Sequence, residues 1–123
     1  VNEVRLEGVV LPGREERWTP AGIPLTRLEL EHRSRVTVAG LERVAHCRVT
    51  VACLGRELAE AVRAIPDGGR CRVAGFLGQR VRHRSDQEPY FGRLELHARE
   101  LQPLDDEGPD SDPTTEYPSE SGE

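Results

Sequence analysis

Apolar and polar residues alternate in five separate segments of the chain, and this period of two constrains the fold more than any other feature. Such alternation places every second side chain on a buried face, which is the pattern of half-buried β-strands. The predicted strands span residues 2–11, 25–33, 41–54, 70–78 and 93–101. The sequence therefore predicts a mainly β protein.

One segment, residues 55–65, changes to the period of an α-helix. Leu58, Ala61, Val62 and Ile65 are spaced i, i+3, i+4 and i+7, which makes one apolar stripe. A Pro-Asp-Gly-Gly sequence follows the stripe and is typical of a helix end. We therefore predict one short helix between the third and fourth strands.

Five strands with a helix between the third and the fourth is the arrangement of the OB-fold. Long polar loops are predicted at residues 12–24 and 80–92, and the shape of the connector up to Gly40 stays open. OB-folds bind oligonucleotides on the face of the second and third strands, between the first and last long loops. We expect an all-β, five-stranded OB-fold barrel.

Charge is divided unevenly along the chain. Its 17 basic and 22 acidic residues give a net charge of −5, and all of the basic residues are Arg. Residues 105–123 hold 8 acidic residues and no basic one, so residues 1–104 carry 17 basic and 14 acidic residues, a net charge of +3. We expect an OB-fold domain over residues 1–104 and a disordered acidic tail over residues 105–123, because the tail has too few apolar residues to fold.

The three cysteines, Cys47, Cys53 and Cys71, lie in apolar runs without a C-x-x-C pair. We interpret them as buried thiols in a reducing cytoplasm, with no disulfide framework. No zinc spacing, nucleophile elbow or phosphate loop is present in the sequence. We expect no enzyme activity, no metal and no cofactor, and no apolar run is long enough to predict a membrane span.

Binding of single strands requires a basic groove for phosphates and flat side chains on which bases stack. Side chains of both kinds lie where the OB-fold places its binding surface. The candidate nucleic-acid-binding residues are Arg17, Trp18, Arg33, Arg43, His46, Arg48, Arg80, Arg82, Arg84 and Arg93.

Five of the aromatic and histidine residues outside this set are interpreted separately. We interpret Phe76 as structural and His32 and His97 as hydrogen-bonded side chains. Tyr90 and Phe91 lie in the last predicted loop, where they either contact a ligand or pack the loop down.

Several short motifs resemble the primosomal replication protein N (PriB) family, relatives of the bacterial single-stranded DNA-binding protein. The resemblance runs from about residue 2 to residue 104. Its motifs are Thr-Pro-Ala-Gly-Ile-Pro at 19–24, Leu-Glu-His-Arg-Ser at 30–34, Ala-Gly at 39–40, Ala-His-Cys at 45–47, Gly-Phe at 75–76 and Leu-His-Ala at 96–98.

The resemblance implies a homodimer that binds single-stranded DNA and stabilises the restart helicase PriA at stalled forks. Other implied partners are DnaT or an equivalent and the single-stranded DNA-binding protein, in the cytoplasm at the nucleoid. DNA contacts are implied for Arg17, Arg33, Arg82, Arg84 and Arg93. The chain differs from the family in having His46 where many members have an aromatic residue, in its longer last loop and in its acidic tail.

Two alternatives stay open from the sequence. One is an OB module that binds mainly proteins, with weak affinity for nucleic acid. The other is an RNA-binding OB domain, which would require contacts to the 2′-hydroxyl group.

Overall fold

The computed structural model describes residues 1–105, apart from the side chains of Arg84 and Gln87. The predicted acidic tail lies outside the described residues beyond Asp105. The described part contains strands β1 (Val4–Val10), β2 (Glu15–Trp18), β3 (Pro24–Val38), β4 (Leu41–Leu54), β5 (Arg70–Arg84) and β6 (Gln87–Leu104), and helix α1 (Arg56–Arg63) between β4 and β5.

Five of these strands close into a barrel in the order β1-β5-β6-β4-β3, because β1 also pairs with β3. The β4–β6 pair is parallel and the other pairs are antiparallel. The short β2 pairs with β3 as an additional edge strand. The OB-fold prediction is confirmed, with the helix in its predicted position.

The barrel interior is filled by apolar side chains from every barrel strand. Leu30, Val51, Val73 and Leu96 are completely buried there. Val62 of α1 packs into the same core, together with Leu58, Ala61 and Ile65 of the predicted stripe. The alternation of the sequence therefore identified both the strands and the inward face of the helix.

Two glycines allow backbones to approach closely inside this barrel. A Cβ on Gly75 would overlap the carbonyl oxygen of His97, next to an irregularity in the β5–β6 register. A Cβ on Gly8 would overlap the carbonyl oxygen of Glu31 near the β1–β3 closure. Side chains at either position would push apart strands that the barrel needs to pair.

Two segments differ from the sequence prediction, and the structure defines the connector that the sequence left open. The first predicted loop contains β2, and the last one is an extension of the β5–β6 hairpin. The open connector is a continuation of β3 and β4 to a turn at Ala39 and Gly40, where φ is 53° and 79°. Positive φ at both central residues is the geometry of a tight type I′ hairpin turn, which Gly favours and Ala rarely adopts.

Three burial predictions were wrong. Cys47 is exposed, and Leu77 and Leu94 are among the exposed apolar residues, although all three were predicted to face inward. The reason is that both long hairpins run past the barrel, where no second layer covers the inward side. Thr50 lies on the outer side, as predicted, and is buried there because neighbouring side chains cover its hydroxyl.

Candidate nucleic-acid interface

The strand register places a set of charged and aromatic side chains on one outer face of the barrel. Paired residues of adjacent strands point to the same side of a sheet, and side chains alternate along each strand. We call the following set the outer face: Arg27, Glu29, Glu31, Arg33 and Arg35 of β3, His46, Arg48 and Thr50 of β4, Arg93, Glu95 and His97 of β6, and Phe76, Gly78 and Arg80 of β5.

Candidate cations of three strands meet on the outer face. Arg33 lies opposite His46, and Arg48 lies opposite Glu31, in the β3–β4 pair. Arg93 of β6 donates from Nη1 to Thr50 Oγ1 over 3.3 Å, which brings this guanidinium against β4. Four sequence-predicted residues therefore share one surface, although they are far apart in the chain.

Carboxylates are interleaved with these cations. Glu31 Oε2 lies 2.6 Å from His46 Nε2 and 3.5 Å from Arg48 Nε. The pKa of Glu31 lies below its usual value, chiefly because His46 donates a hydrogen bond to the carboxylate. The charge of Arg48 lowers this pKa as well, whereas partial burial raises it. Arg27 Nε pairs with Glu95 Oε2 at 2.8 Å on the same surface. The outer face is thus a mixture of charges, with six arginines and three glutamates in the set.

Arg17 lies at the β2 edge of this surface. It pairs with Leu25, which lies on the same side of β3 as Arg27 and Glu29. Its guanidinium is 3.9 Å from Glu15, and both side chains are largely exposed. The structure therefore places Arg17 on the same side as Arg33.

Two sequence-predicted residues lie on the opposite side. Arg43 pairs with Val36, one position out of step with Arg33 and His46. Trp18 pairs with the buried Pro24 and lies two residues after Glu16, so both side chains point to the same side of β2. The Glu16 carboxylate binds Arg63 of α1. The register therefore turns the exposed Trp18 towards the helix side of the sheet and Arg43 away from the outer face.

The β5–β6 hairpin extends the outer side beyond the barrel. Arg80 and Arg82 follow Gly78 at alternate positions of β5, and Arg82 pairs with Tyr90, which is 67% exposed. The side chain of Arg84 lies outside the described part of the structure. Tyr90 is a flat side chain that the sequence-based set omitted, because the segment was predicted to be an irregular loop without faces.

The first loop is held by a different arginine. Arg14 donates from Nη1 to the carbonyl of Val62 over 2.9 Å and from Nη2 to that of Ile65 over 2.7 Å. These carbonyls belong to the end of α1, where backbone acceptors lack partners within the helix and a cation is favourable. Arg14 therefore fixes the start of β2 against the helix.

Both ring nitrogens of His32 have hydrogen-bond partners. His32 Nδ1 lies 2.6 Å from the carbonyl of Glu7 and its Nε2 lies 2.8 Å from Ser34 Oγ, so the prediction of a hydrogen-bonded histidine is confirmed.

Among residues 1–105, no cluster of three or more His, Cys, Asp or Glu is arranged to hold a metal ion.

Helix α1 spans only Arg56–Arg63, and within the described part of the chain no helix is both long and apolar enough to cross a membrane.

Comparison with protein families gives a match over residues 2–91 to a family described as another single-strand binding protein family. The replication restart protein PriB of Photorhabdus laumondii is 34% identical over 104 residues, which cover 85% of this chain and 94% of that protein. The replication restart protein PriB of Proteus mirabilis is 31% identical over the same shares of the two chains.

Two solved structures have a barrel similar to that of this chain. The PriB protein from Ralstonia solanacearum superimposes with a TM-score of 0.66 at 23% identity, over 85% of this chain and 99% of that one. The Plasmodium falciparum SSB in complex with ssDNA superimposes with a TM-score of 0.66 at 18% identity, over 85% of this chain and 96% of that one. At these identities the structural likeness shows the fold.

Proposed function

Because this chain belongs to the PriB replication restart proteins and to a single-strand binding protein family, we propose that it binds single-stranded DNA on its outer face during replication restart. The observation that carries the proposal is the convergence of Arg33, Arg48 and Arg93 from three strands on one surface. In this proposal the chain acts as a binding protein and catalyses no reaction.

The chemistry of the outer face suits a flexible single strand. Guanidinium groups donate two parallel hydrogen bonds to a phosphate, and their planes also stack on bases. His46, opposite Arg33, and the exposed Tyr90, opposite Arg82, supply flat side chains on this side of the sheet. Since no part of this scheme reads base edges, we expect little sequence preference and a site of roughly 4–16 nucleotides.

The finer role follows from the family. We propose that the protein stabilises the helicase PriA on DNA and helps to assemble the primosome at stalled forks, with DnaT or an equivalent and the single-stranded DNA-binding protein as further partners. The site of action in this proposal is the cytoplasm, at the nucleoid. The relatives are replication restart proteins, which supports this part.

A homodimer is supported by one uncovered apolar surface. Val81 and Phe91 form a cross-strand pair of the β5–β6 hairpin, and Leu77 and Leu94 lie on the same side of it. All four side chains are among the exposed large apolar residues. A contiguous apolar patch of this kind is typical of a protein–protein interface. We call these four residues the hairpin stripe and propose that a second copy covers it.

A titration with labelled oligonucleotides tests the proposed function. Fluorescence anisotropy would follow binding to a single strand, to the matching duplex and to the RNA version of the single strand, at low and moderate salt. We expect preference for the single strand and weakening by salt, with a log–log slope near −0.7 for each phosphate contact. Absence of single-strand binding at low salt would contradict the proposal, and stronger binding to the RNA strand would favour an RNA-binding domain.

One observation favours a second candidate function. Glu29, Glu31 and Glu95 lie among the cations of the outer face, so the positive potential there is reduced. A face of mixed charge also suits a protein partner, as in an OB interaction module with weak affinity for DNA. Stimulation of PriA unwinding without measurable binding of the isolated protein to single strands would support this second function.

A further inference from the structure

The centre of the outer face holds an acidic group where a DNA-binding surface is expected to hold cations. Glu31 lies on β3 between Glu29 and Arg33 and directly opposite Arg48. One of its carboxylate oxygens, Oε2, is within 2.6 Å of His46 Nε2 and 3.5 Å of Arg48 Nε. The Glu31 side chain is 26% exposed, so solvent reaches the group.

This geometry resembles the way in which a phosphate is held. A phosphate oxygen accepts hydrogen bonds from arginine and histidine donors at the same distances as a carboxylate oxygen. His46 Nε2 and Arg48 Nε therefore already direct donors at an anion, and that anion belongs to the protein. A DNA strand that uses these two donors has to displace or share the Glu31 carboxylate.

We propose that Glu31 is an internal competitor of the DNA phosphates, which holds His46 and Arg48 in place and limits the affinity for single strands. The inference rests on the proposed function, because it assigns a role within the same surface. Its physical basis is that a fixed negative charge repels an incoming phosphate and must lose its own hydrogen bonds when the phosphate arrives. The expected consequence is faster release of the strand than the cations alone would allow.

The direct test compares Glu31→Gln with Glu60→Gln. Both variants raise the net charge by one, but Glu60 is an exposed residue of α1 and is not part of the outer face. We expect Glu31→Gln to bind a labelled single strand about two- to fivefold more tightly than Glu60→Gln, the scale of an exposed ion pair. The gain should appear mainly as slower dissociation, measured by stopped-flow competition with unlabelled strand.

A double-mutant cycle isolates the competition from a simple charge effect. Arg48→Gln should weaken binding only slightly in the presence of Glu31, because the nearby carboxylate offsets the charge of this guanidinium. The same substitution in the Glu31→Gln background should cause a larger loss, because there the guanidinium is available to phosphate. Glu31→Thr, which suits a β-strand, should give the same order of affinities if the Gln variant does not fold.

The outcomes separate this inference from the proposed function. If the wild-type protein binds no single strand at low salt, the proposed function is wrong, and the inference with it. If the wild-type protein binds but Glu31→Gln equals Glu60→Gln, or binds more weakly, Glu31 is not a competitor, whereas the function stands. Additive effects of Glu31→Gln and Arg48→Gln would overturn the inference in the same way.

Discussion

The ring of Phe76 stacks on the imidazole of His97 across the β5–β6 pair, with centroids 5.1 Å apart and planes inclined by 13°. The guanidinium carbon of Arg99 lies 5.0 Å from the centroid of the Phe76 ring. Gly78 makes room for the histidine, since a Cβ there would lie 3.0 Å from two atoms of the imidazole. Phe76 therefore stacks with His97 and Arg99 on this part of the outer face.

Substitution of Phe76 should affect stability more than binding. Phe76→Ala removes a half-buried ring and its contacts with His97 and Arg99, and we expect the free energy of unfolding to fall by about 1–3 kcal/mol. Urea denaturation would measure this loss, with Tyr90→Ala as a control because that ring is exposed and lies on the other side of the hairpin from the hairpin stripe. An unchanged free energy of unfolding, together with a loss of single-strand affinity, would show that the stack is a base-binding platform.

Trp18 and Arg17 are neighbours in β2 but point to opposite sides of the sheet. We expect Trp18→Ala to change single-strand affinity less than twofold, and Arg17→Gln to weaken it, because Arg17 lies on the side of the outer face. Anisotropy titrations of the two variants would check this. A stacked base is worth about 1–3 kcal/mol, so a loss on that scale for Trp18→Ala would place the helix side of β2 on the DNA.

Thiol labelling should distinguish the three cysteines. Cys47 is exposed, whereas burial raises the pKa of Cys53 to about 12 and that of Cys71 to about 11. At pH 8 we expect an aromatic disulfide reagent to modify only Cys47 in the folded protein and all three thiols after unfolding, because reaction requires the accessible thiolate. Rapid labelling of Cys53 in the folded protein would contradict the buried position.

The same two buried thiols give a pH dependence of stability. Their pKa values are raised in the folded state above the ordinary value of 9.0, so above about pH 9 the unfolded chain loses protons that the folded chain retains. The unfolded state then binds fewer protons, and stability should fall as pH rises from about 9 towards 11. Urea denaturation at pH 7.5 and pH 10 would measure the fall, and Cys53→Ser with Cys71→Ser should reduce it.

The hairpin stripe predicts the oligomeric state. Leu94→Glu places a charge among the exposed apolar residues of the β5–β6 hairpin, and we expect it to convert a dimer into a monomer. Tyr90→Glu is the matched control, because its side chain lies on the other side of the hairpin from Phe91. Sedimentation equilibrium would measure both. A monomeric wild-type protein, or a Leu94→Glu dimer, would contradict the role of the stripe.

Sequence periodicity predicted the barrel well because burial enforces it. Leu28 and Leu30 alternate with charged residues inside a closed strand, and both are buried as the pattern requires. The pattern fails where the hairpins leave the barrel, as at Leu94, because alternation continues there without a layer to cover it. An apolar residue in step with the core therefore marks an inward direction but does not guarantee burial.

The sequence predicted which residues belong to the candidate site but not, for every one of them, the side of the sheet that it occupies. Alternation along β3 and β4 predicted Arg33, His46 and Arg48 on the outer faces of their strands, and the strand pairing brings them together on one surface. Arg43 was grouped with them by proximity in sequence, whereas counting from His46 shows that it is out of step. The partnership of Glu31 with His46 and Arg48 depends on cross-strand pairing over 15 or more positions, and a single sequence carries no signal for that pairing.

The claim that the outer face binds the strand is tested most directly by comparing Arg33→Gln with Arg43→Gln. Both remove one positive charge from the β3–β4 hairpin, and the register places the two side chains on opposite faces. We predict that Arg33→Gln weakens single-strand binding several-fold at low salt and reduces the salt slope by about 0.7, whereas Arg43→Gln leaves both values close to those of the wild-type protein. Equal losses for the two variants, or a larger loss for Arg43→Gln, would contradict the account.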